Sequence, residues 1–477
     1  MKTLSEISND IDLNVFRRYA GLSLPRHVSY PMPTWWHQID ADQANAMHAE
    51  SDAQDPAYDL SLYLHIPFCE SLCKFCACNK VIQRKGSAGA AERTERYVLA
   101  IQREVRRLAG TLRSDRAMRQ VHYGGGSPTY LSEDQLRRLH GTVVEAFHLA
   151  PDAEVAMEVD PRTVTEEKLA CLRELGFTRL SMGIQDFHEQ VQTHVRRVQP
   201  LEMVQDVVGA CRRLGFASLN FDLIYGMPFQ TPETIRDTIE RVIELGPDRI
   251  AYYHYAQIPE KIATQRGMDY TKLPTSEAKL DMFLIGLEMF ERAGYDFVGL
   301  DHFAKPTEPL AQSVKDGSVQ RNFQGMTTGG GLCLLGVGVS SITHLLDVGF
   351  LQNLKDTNEY IAAMERDEAV VERGKRFTFD DRVRQMVINQ LYCTAKIVPA
   401  AVETQFDICF GEYFARELDV MEDLAIDGLV TVADDGTVRV SKPLGRVLVR
   451  NVAAVFDGYL DPDAYRTGEH AYFSINA

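Results

Sequence analysis

Four of the nine cysteines in this chain fall within ten residues, at Cys69, Cys73, Cys76 and Cys78. Their spacing, C-x3-C-x2-C-x-C within HIPFCESLCKFCACNK, puts at least three thiolates on one tight loop. Thiolates at that density favour an iron-sulfur cluster or zinc, and structural zinc sites usually pair two knuckles across a longer segment. No second C-x2-C occurs in the chain to complete such a pair, so the spacing favours the cluster. If three cysteines hold a cubane, its fourth iron either takes Cys78, which makes an electron carrier, or stays open for a substrate to chelate, which makes a catalyst. Cys171, Cys211, Cys333, Cys393 and Cys409 are scattered and read as small core residues or plain thiols.

The elements that position this loop follow from length, composition and pattern. At 477 residues with 45% hydrophobic and 25% charged residues, the chain is expected to fold around a sizeable core, as several domains or as one barrel with appendages. Residues 1–57 read as an irregular leader, in which PRHVSYPMPTWW at 25–36 is too proline-rich for helix. From 60–66 onward, strands expected at 119–123, 154–159, 178–183, 217–224, 249–255 and 296–300 alternate with helices near 90–110, 132–147, 164–175, 201–214, 232–245 and 276–293. Such alternation implies right-handed crossovers and a parallel sheet. Cys69, the glycines 124–126, Glu158, Gln185, Asp222 and Ala256 all stand at carboxyl ends of these strands. A full or partial barrel gathers its site from every strand in that way, whereas a doubly wound sheet concentrates it at one switch point. The expected fold is therefore α/β, with a parallel barrel over 58–350 and a helical domain over 351–477. That last domain contains two helices and an Asp-Gly hairpin (LVTVADDGTVRV) in winged-helix-like order.

Several classes of function are excluded. Lys and Arg total 51 against 67 Asp and Glu, a net charge of −16, which argues against general phosphate neutralisation on nucleic acid. The winged-helix-like part is itself acidic over 412–427, and the basic run at 103–119 reads as a solvated helix face. The longest apolar runs, such as Val452 to Phe456, fall far short of the ~20 residues of a membrane-spanning helix. The acidic, polar N-terminus is unlike an export signal, so a cytoplasmic protein with reduced thiols is expected.

The full string around the cysteines, together with HYGGGSPTYL, MEVDPR, RLSMGIQDF, NFDLIYGMPFQT, YAQIP, GLDHFAKP, RNFQG and LLGVGVSSI, resembles the oxygen-independent coproporphyrinogen III oxidase family of radical S-adenosylmethionine (SAM) enzymes. The likeness spans about residues 20–460. It implies a three-quarter parallel barrel in which Cys69, Cys73 and Cys76 hold one [4Fe-4S] cluster, with the open iron chelated by the amino and carboxylate groups of SAM. One electron then splits the sulfonium and leaves a 5'-deoxyadenosyl radical. That radical takes hydrogen from a propionate of coproporphyrinogen III, which loses carbon dioxide to become vinyl, and a second round gives protoporphyrinogen IX. The resemblance assigns Tyr63, Gly125, Glu158 and Ile342 to a first SAM, and Phe75, Gly126, Ser127, Gln185, Arg197, Asp222 and Ala256 to a second. The residue chemistry suits this, since glycines admit close backbone approach, carboxylates accept from ammonium or hydroxyl, and Arg197 offers a fork to a carboxylate. Cys78 is carried by the family without being a standard ligand and has at most an auxiliary role. The resemblance further implies a tetrapyrrole substrate, a low-potential electron donor such as flavodoxin or ferredoxin, a monomer, and no nucleic acid or membrane partner.

The chain departs from the family pattern at His27, Val28 and Met32, where PRYTSYPT is usual, at Met326, where Tyr is usual, and at Ser127, where Thr is usual. Ser127 keeps the hydroxyl of the usual Thr, and the other positions bear on substrate identity while leaving the cluster and SAM machinery intact. The alternatives are a paralogue acting on another tetrapyrrole, for instance a haem-opening methyltransferase, and a haem-binding chaperone. The chaperone branch typically places an aromatic residue where this chain has Cys78. Arg26 and Tyr30 in the leader are candidates to reach a propionate, while His65, His122, His254 and His302 read as hydrogen-bonded structural residues.

One outcome separates the two readings of the cysteines. Replacing Cys69, Cys73 or Cys76 by Ala should abolish both iron content and SAM cleavage, while Cys78→Ala should keep most of the iron. Iron analysis of the anaerobically reconstituted variants checks this.

Overall fold

The computed structural model describes residues 11–460 apart from Ser23, 55–57 and Ser114. Its first barrel strand, β1 (Leu60–Ile66), buries six of its seven side chains, as a strand covered on both faces must. Five more strands follow it side by side in chain order, every pair parallel: β2 (Met118–Gly125), β3 (Leu149–Val159), β4 (Arg179–Gln185), β5 (Ser218–Tyr225) and β6 (Arg249–His254). The expected helices lie between them. Ala90–Ala109 turns Tyr97, Val98, Ile101 and Val105 to the sheet, a helical spacing, and Gly110 ends it. Glu133–Ala146 starts at a Ser132/Gln135 capping box, and Pro232–Leu245 at a Thr231/Thr234 box with proline in its first turn. Six parallel strands amount to three-quarters of an eight-stranded barrel, the arrangement the resemblance implied.

The parallel run stops where the sequence pattern carried it one strand further. The segment expected as a strand over 296–300 is β7 (Asp296–Gly299), but it pairs antiparallel with β8 (His302–Ala304), which is itself antiparallel to β6. Only Leu300 and Asp301 separate the two strands, far too few residues for a parallel crossover. At the other edge β9 (Cys333–Val337) runs parallel to β1. The sheet then continues antiparallel through β10 (Ile342–Leu345), β11 (Gly349–Asn353) and β12 (Val371–Arg376). The same sheet thus runs past residue 350, and the helical part starts with Phe379–Thr394.

The leader is more regular than its prolines suggest. Leu13–Ala20 is a helix capped by Asp12, and Ala41–Asp52 one with an Asp40/Gln43 capping box. The stretch between them holds a short 3-10 turn at Pro33–Trp35 and a two-residue strand, His37–Gln38, that pairs antiparallel with β12 at the edge of the sheet, and residues 1–10 lie outside the described part. Val15, Phe16, Tyr19 and Tyr30 share a core with Val383, Val387, Leu391 and Tyr392 of the C-terminal helices, while Trp36 stacks on Phe350 of β11. The leader therefore bridges the C-terminal part and the sheet. Beyond Phe379–Thr394 the order is strand Lys396–Ile397, helices Pro399–Phe406 and Ala415–Ile426, and the hairpin Val430–Val432/Val438–Val440, with Lys396–Ile397 on the hairpin's edge. That is the winged-helix order expected.

Helix Ser276–Arg292 packs on β6 at Gly286, where a Cβ would overlap the ring of Tyr252, with Cδ1 at 2.8 Å. Tyr252 is fully buried and its hydroxyl donates to the Met282 carbonyl at 2.8 Å, so the ring cannot move aside. In an open helix Gly→Ala stabilises by about 1 kcal/mol. Here overpacking, typically about 1–3 kcal/mol, should outweigh that gain, so Gly286→Ala should lower the thermal midpoint. Calorimetry on the purified variant checks the sign.

Candidate active site

The cysteine loop lies flush against the end of β2. The Gly126 amide donates to the Ile66 carbonyl at 2.8 Å, and a Cβ at Gly126 would overlap the Pro67 carbonyl and come within 3.0 Å of the Cys69 sulfur. At Gly125 (φ +117°) a Cβ would meet the His65 ring at 2.7 Å, and at Gly124 the Glu158 carboxylate at 2.7 Å. Each of the three glycines thus meets a different neighbour, and it is at Gly126, against backbone, that a side chain would lift the loop.

Polar contacts fix the loop from both ends. His65 Nε2 lies 2.9 Å from the Asn79 carbonyl and Nδ1 lies 3.1 Å from the Tyr63 hydroxyl. A carbonyl only accepts, so Nε2 carries the proton and the tyrosine donates to Nδ1. Lys80 Nζ donates to the carbonyls of Cys76 and Cys78, at 2.9 and 3.2 Å. The Lys74 amide donates to Val195 at 3.0 Å, which ties the loop to helix Glu189–Val195. From the far side, Thr264 donates to the Cys76 carbonyl at 3.2 Å, and Gln265 Nε2 donates to the carbonyls of Phe75 and Ala256, at 3.2 and 2.9 Å.

Charge is arranged around the sulfurs. Arg162 Nη2 and Arg197 Nη1 each lie 3.7 Å from the Cys73 sulfur, and Asp160 bridges the two guanidiniums at 2.6 and 3.5 Å. Burial raises the Asp160 carboxyl, but Arg197 and Arg162 outweigh it and hold the group below its usual range. The remaining donors of Arg197, Nε and Nη2, go to the Gly183 carbonyl at 3.1 and 2.7 Å. Burial and the neighbouring Cys76 and Cys73 push the Cys69 thiol up to about 12, while the hydrogen bond from Cys78, helped by Lys80, brings Cys76 down to about 6. Uptake of metal at this loop must therefore displace a proton from Cys69. Among the described residues no three His, Cys, Asp or Glu side chains converge on a point one ion could share, as a mononuclear site requires.

A cavity of about 370 Å³ runs down the barrel interior from the loop toward the amino ends of the strands. It is lined by Cys69, Cys73, Phe75, Cys76, Gly125, Gly126, Ser127, Glu158, Gln185, Arg197 and Asp222, eleven of the residues singled out in the sequence, and by Cys78. Tyr63, Ala256 and Ile342 stand just behind it. Tyr63 stacks on His122, which lines the cavity, with ring centroids 6.0 Å apart. Gly336, paired with Tyr63 in register, lies against the Ile342 backbone, and Ala256 is joined to Phe75 through Gln265. Glu158 accepts from the Gly125 amide at 3.0 Å. Asp222 accepts from Asn220 at 2.9 Å and Ser181 at 3.2 Å, yet burial, with Glu158 nearby, raises its carboxyl to about 6.

A family model described as the radical SAM superfamily matches residues 63–242. Over 457 residues, 96% of this chain and 97% of the relative, the chain is 41% identical to the oxygen-independent coproporphyrinogen III oxidase of Salmonella typhimurium. The enzyme so named in Pseudomonas aeruginosa is 40% identical over 94% of this chain and 96% of its own length. This chain belongs to the oxygen-independent coproporphyrinogen III oxidase family. The solved coproporphyrinogen III oxidase of Escherichia coli, described as a radical SAM enzyme, shares the fold with a TM-score of 0.87 at 38% identity, covering 94% of this chain and 99% of that one. The radical SAM family implies a [4Fe-4S] cluster and SAM, and the loop fits them. Three thiolates face one cavity, the glycine floor leaves room beside Cys69, and two guanidiniums flank Cys73 where an anionic cluster needs positive charge.

Sequence reasoning missed Asp160, Arg162 and Gln265. The first two stand inside the quoted MEVDPR string beside Glu158, so the signal was present, whereas Gln265 lies 190 residues from the carbonyl it holds and leaves no local pattern.

The raised Asp222 carboxyl gives a signed expectation. A carboxyl whose folded-state pKa exceeds its unfolded value opposes folding increasingly as pH rises from about 4 to about 6, and in full above that. Asp222→Asn should therefore raise the thermal midpoint of the SAM-free chain at pH 8 and much less at pH 4.5. SAM binding should weaken in the same variant. Melting curves across pH and a SAM titration check the two parts.

Proposed function

We propose that this chain converts coproporphyrinogen III to protoporphyrinogen IX by oxidative decarboxylation of two propionates in haem biosynthesis. The observation that carries the reading is near-full-length kinship with enzymes of that name, joined to a single cavity onto which the cysteine loop and the strand-end motifs open. When bound, the cluster and SAM supply the organic radical that takes a hydrogen atom from a propionate.

The chain's own residues then have distinct tasks. Cys69, Cys73 and Cys76 hold the cluster, and Cys78 sits beside Cys76 without being required as a ligand. Tyr63, Gly125, Glu158 and Ile342 serve one SAM, and Phe75, Gly126, Ser127, Gln185, Arg197, Asp222 and Ala256 a second, giving two per chain. Arg197 serves a carboxylate there; in the ligand-free chain its Nε and Nη2 lie on Gly183 and its Nη1 on Cys73 and Asp160. The leader and the C-terminal part close the barrel against water, which a carbon radical requires. A low-potential donor such as flavodoxin or ferredoxin delivers the electron, and the enzyme works as a cytoplasmic monomer. Among the described residues no helix is long and apolar enough to cross a membrane. Domain limits near 57 and 350 go with this reading, the sheet itself running on to Arg376.

Two of the departures are absorbed by packing. His27 is buried, with Nε2 2.9 Å from Asp457 and Nδ1 3.2 Å from the Tyr392 hydroxyl, so it fastens the leader to the C-terminal part. Met326 is buried against Gly299 and lines the main cavity, where it bears directly on the substrate.

Anaerobic incubation of the reconstituted protein with SAM, a reductant and coproporphyrinogen III, followed by mass analysis of the tetrapyrrole, tests the proposal. Loss of two carboxyl groups is expected. SAM cleavage with an unchanged tetrapyrrole, in a preparation with a full cluster, would favour the paralogue or the haem chaperone.

A further inference from the structure

A second, smaller cavity of about 110 Å³ lies at the amino end of the barrel, beneath the leader. It shares Ser61, Gln120 and Thr327 with the main cavity, so the two adjoin inside the barrel, at the opposite end from the cysteine loop. Its lining contains no Asp or Glu and one permanent cation, Arg321.

Arg321 stands on the first strand of the hairpin Gln320–Asn322/Gly325–Thr327, directly across from Met326. Its Nε donates to the His27 carbonyl at 3.3 Å, and its guanidinium lies over the Tyr392 ring at 5.6 Å. Nη1 is shut off from solvent with no hydrogen-bond partner. The titratable neighbours that favour its charge are Tyr392, Tyr253 and Cys393, each pushed upward by burial and so neutral at physiological pH. Arg26, the leader residue that looked suited to a propionate, has its charge matched by an ion pair with Asp301. Among the described residues Arg321 has no such partner. A buried guanidinium without a counter-ion is unfavourable unless a ligand provides one, and its planar fork matches a carboxylate. Gln320, Asn389 and Ser29 also line it, the Asn389 amide donating to Gln320 and the Ser29 hydroxyl to the Pro31 carbonyl, and the lining offers no competing negative charge.

We propose that Arg321 binds a carboxylate arm of the tetrapyrrole, specifically a propionate that the reaction leaves intact. This rests on the tetrapyrrole reading above. The cavity admits a short arm and is far too small for a macrocycle. Because it lies at the opposite end of the barrel from the cysteines, the arm it holds points away from the cluster while another arm faces it. A substrate with four propionates, of which two are lost, supplies such an arm in both rounds. Anchoring through an unreactive arm keeps the grip on the intermediate after the first carbon dioxide has left.

Titration of the full-length protein with coproporphyrin III and with protoporphyrin IX, stable oxidised forms of substrate and product, tests this without turnover. The retained propionates are common to both. Arg321→Gln should therefore weaken both about tenfold or more, the loss of a charge-assisted hydrogen bond or two. Arg321→Lys, which keeps the charge and loses the fork, should recover part of the affinity. Iron and SAM uptake equal to wild type shows that the variants are folded. Unchanged affinity for both porphyrins in Arg321→Gln overturns the proposal. Weakening confined to coproporphyrin III would place a reacting arm at Arg321 and overturn the assignment to a retained one. A wild-type chain that takes up neither porphyrin would contradict the tetrapyrrole reading itself, and this site with it.

Discussion

The cysteine loop can occupy its place only because the end of β2 carries no side chains. At Gly126 the backbone comes so close to Pro67 and Cys69 that any Cβ would overlap the loop, and the Gly126 amide hydrogen-bonds Ile66 across the same seam. Steric exclusion of this kind is harder to compensate than a lost hydrogen bond, since the atom it collides with at Pro67 is backbone. The other contacts at the site work within that limit. His65 joins Tyr63 to Asn79, Lys80 closes the loop on its own carbonyls, and Gln265 ties Phe75 to Ala256. Together they hold the three thiolates at the mouth of a parallel barrel whose strand ends converge on the same cavity.

The cavity has two chemically different ends. Near the cysteines, the guanidiniums of Arg162 and Arg197 share Asp160, and the carboxylates Glu158 and Asp222 stand where hydroxyl and ammonium groups can meet them. In the small adjoining cavity at the amino end, the single guanidinium of Arg321 has no carboxylate among the described residues to balance it. A ligand with polar, partly cationic groups at one end and several carboxylates at the other suits this division. SAM and a tetracarboxylate tetrapyrrole are such a pair. The leader and the C-terminal part take part in this arrangement, since His27 contacts Arg321 through its carbonyl and Asp457 through its ring.

Much of this was legible in the sequence because it is written locally. Cysteine spacing, the triple glycine and single residues at strand ends each identify themselves within a few positions, and eleven of the fourteen residues singled out for the cluster and SAM line one cavity. The parallel strands were legible for the same reason, through alternation with capped helices. What escaped depends on distant partners or on turn length. The antiparallel return of β7 is decided by a two-residue link, and helix Leu13–Ala20, though capped locally by Asp12, finds its apolar partners in Val383, Val387, Leu391 and Tyr392, more than three hundred positions away. The counter-ion of Arg26 and the absence of one at Arg321 appear only once the chain is folded.

The central claim is that three cysteines of the loop hold a cluster with one iron left open to SAM. The electron paramagnetic resonance spectrum of the reduced cluster, recorded with and without SAM, tests it most directly. The account predicts that SAM changes the spectrum, because it coordinates the open iron. A spectrum indifferent to saturating SAM would mean that the fourth iron is already ligated, and would contradict the account.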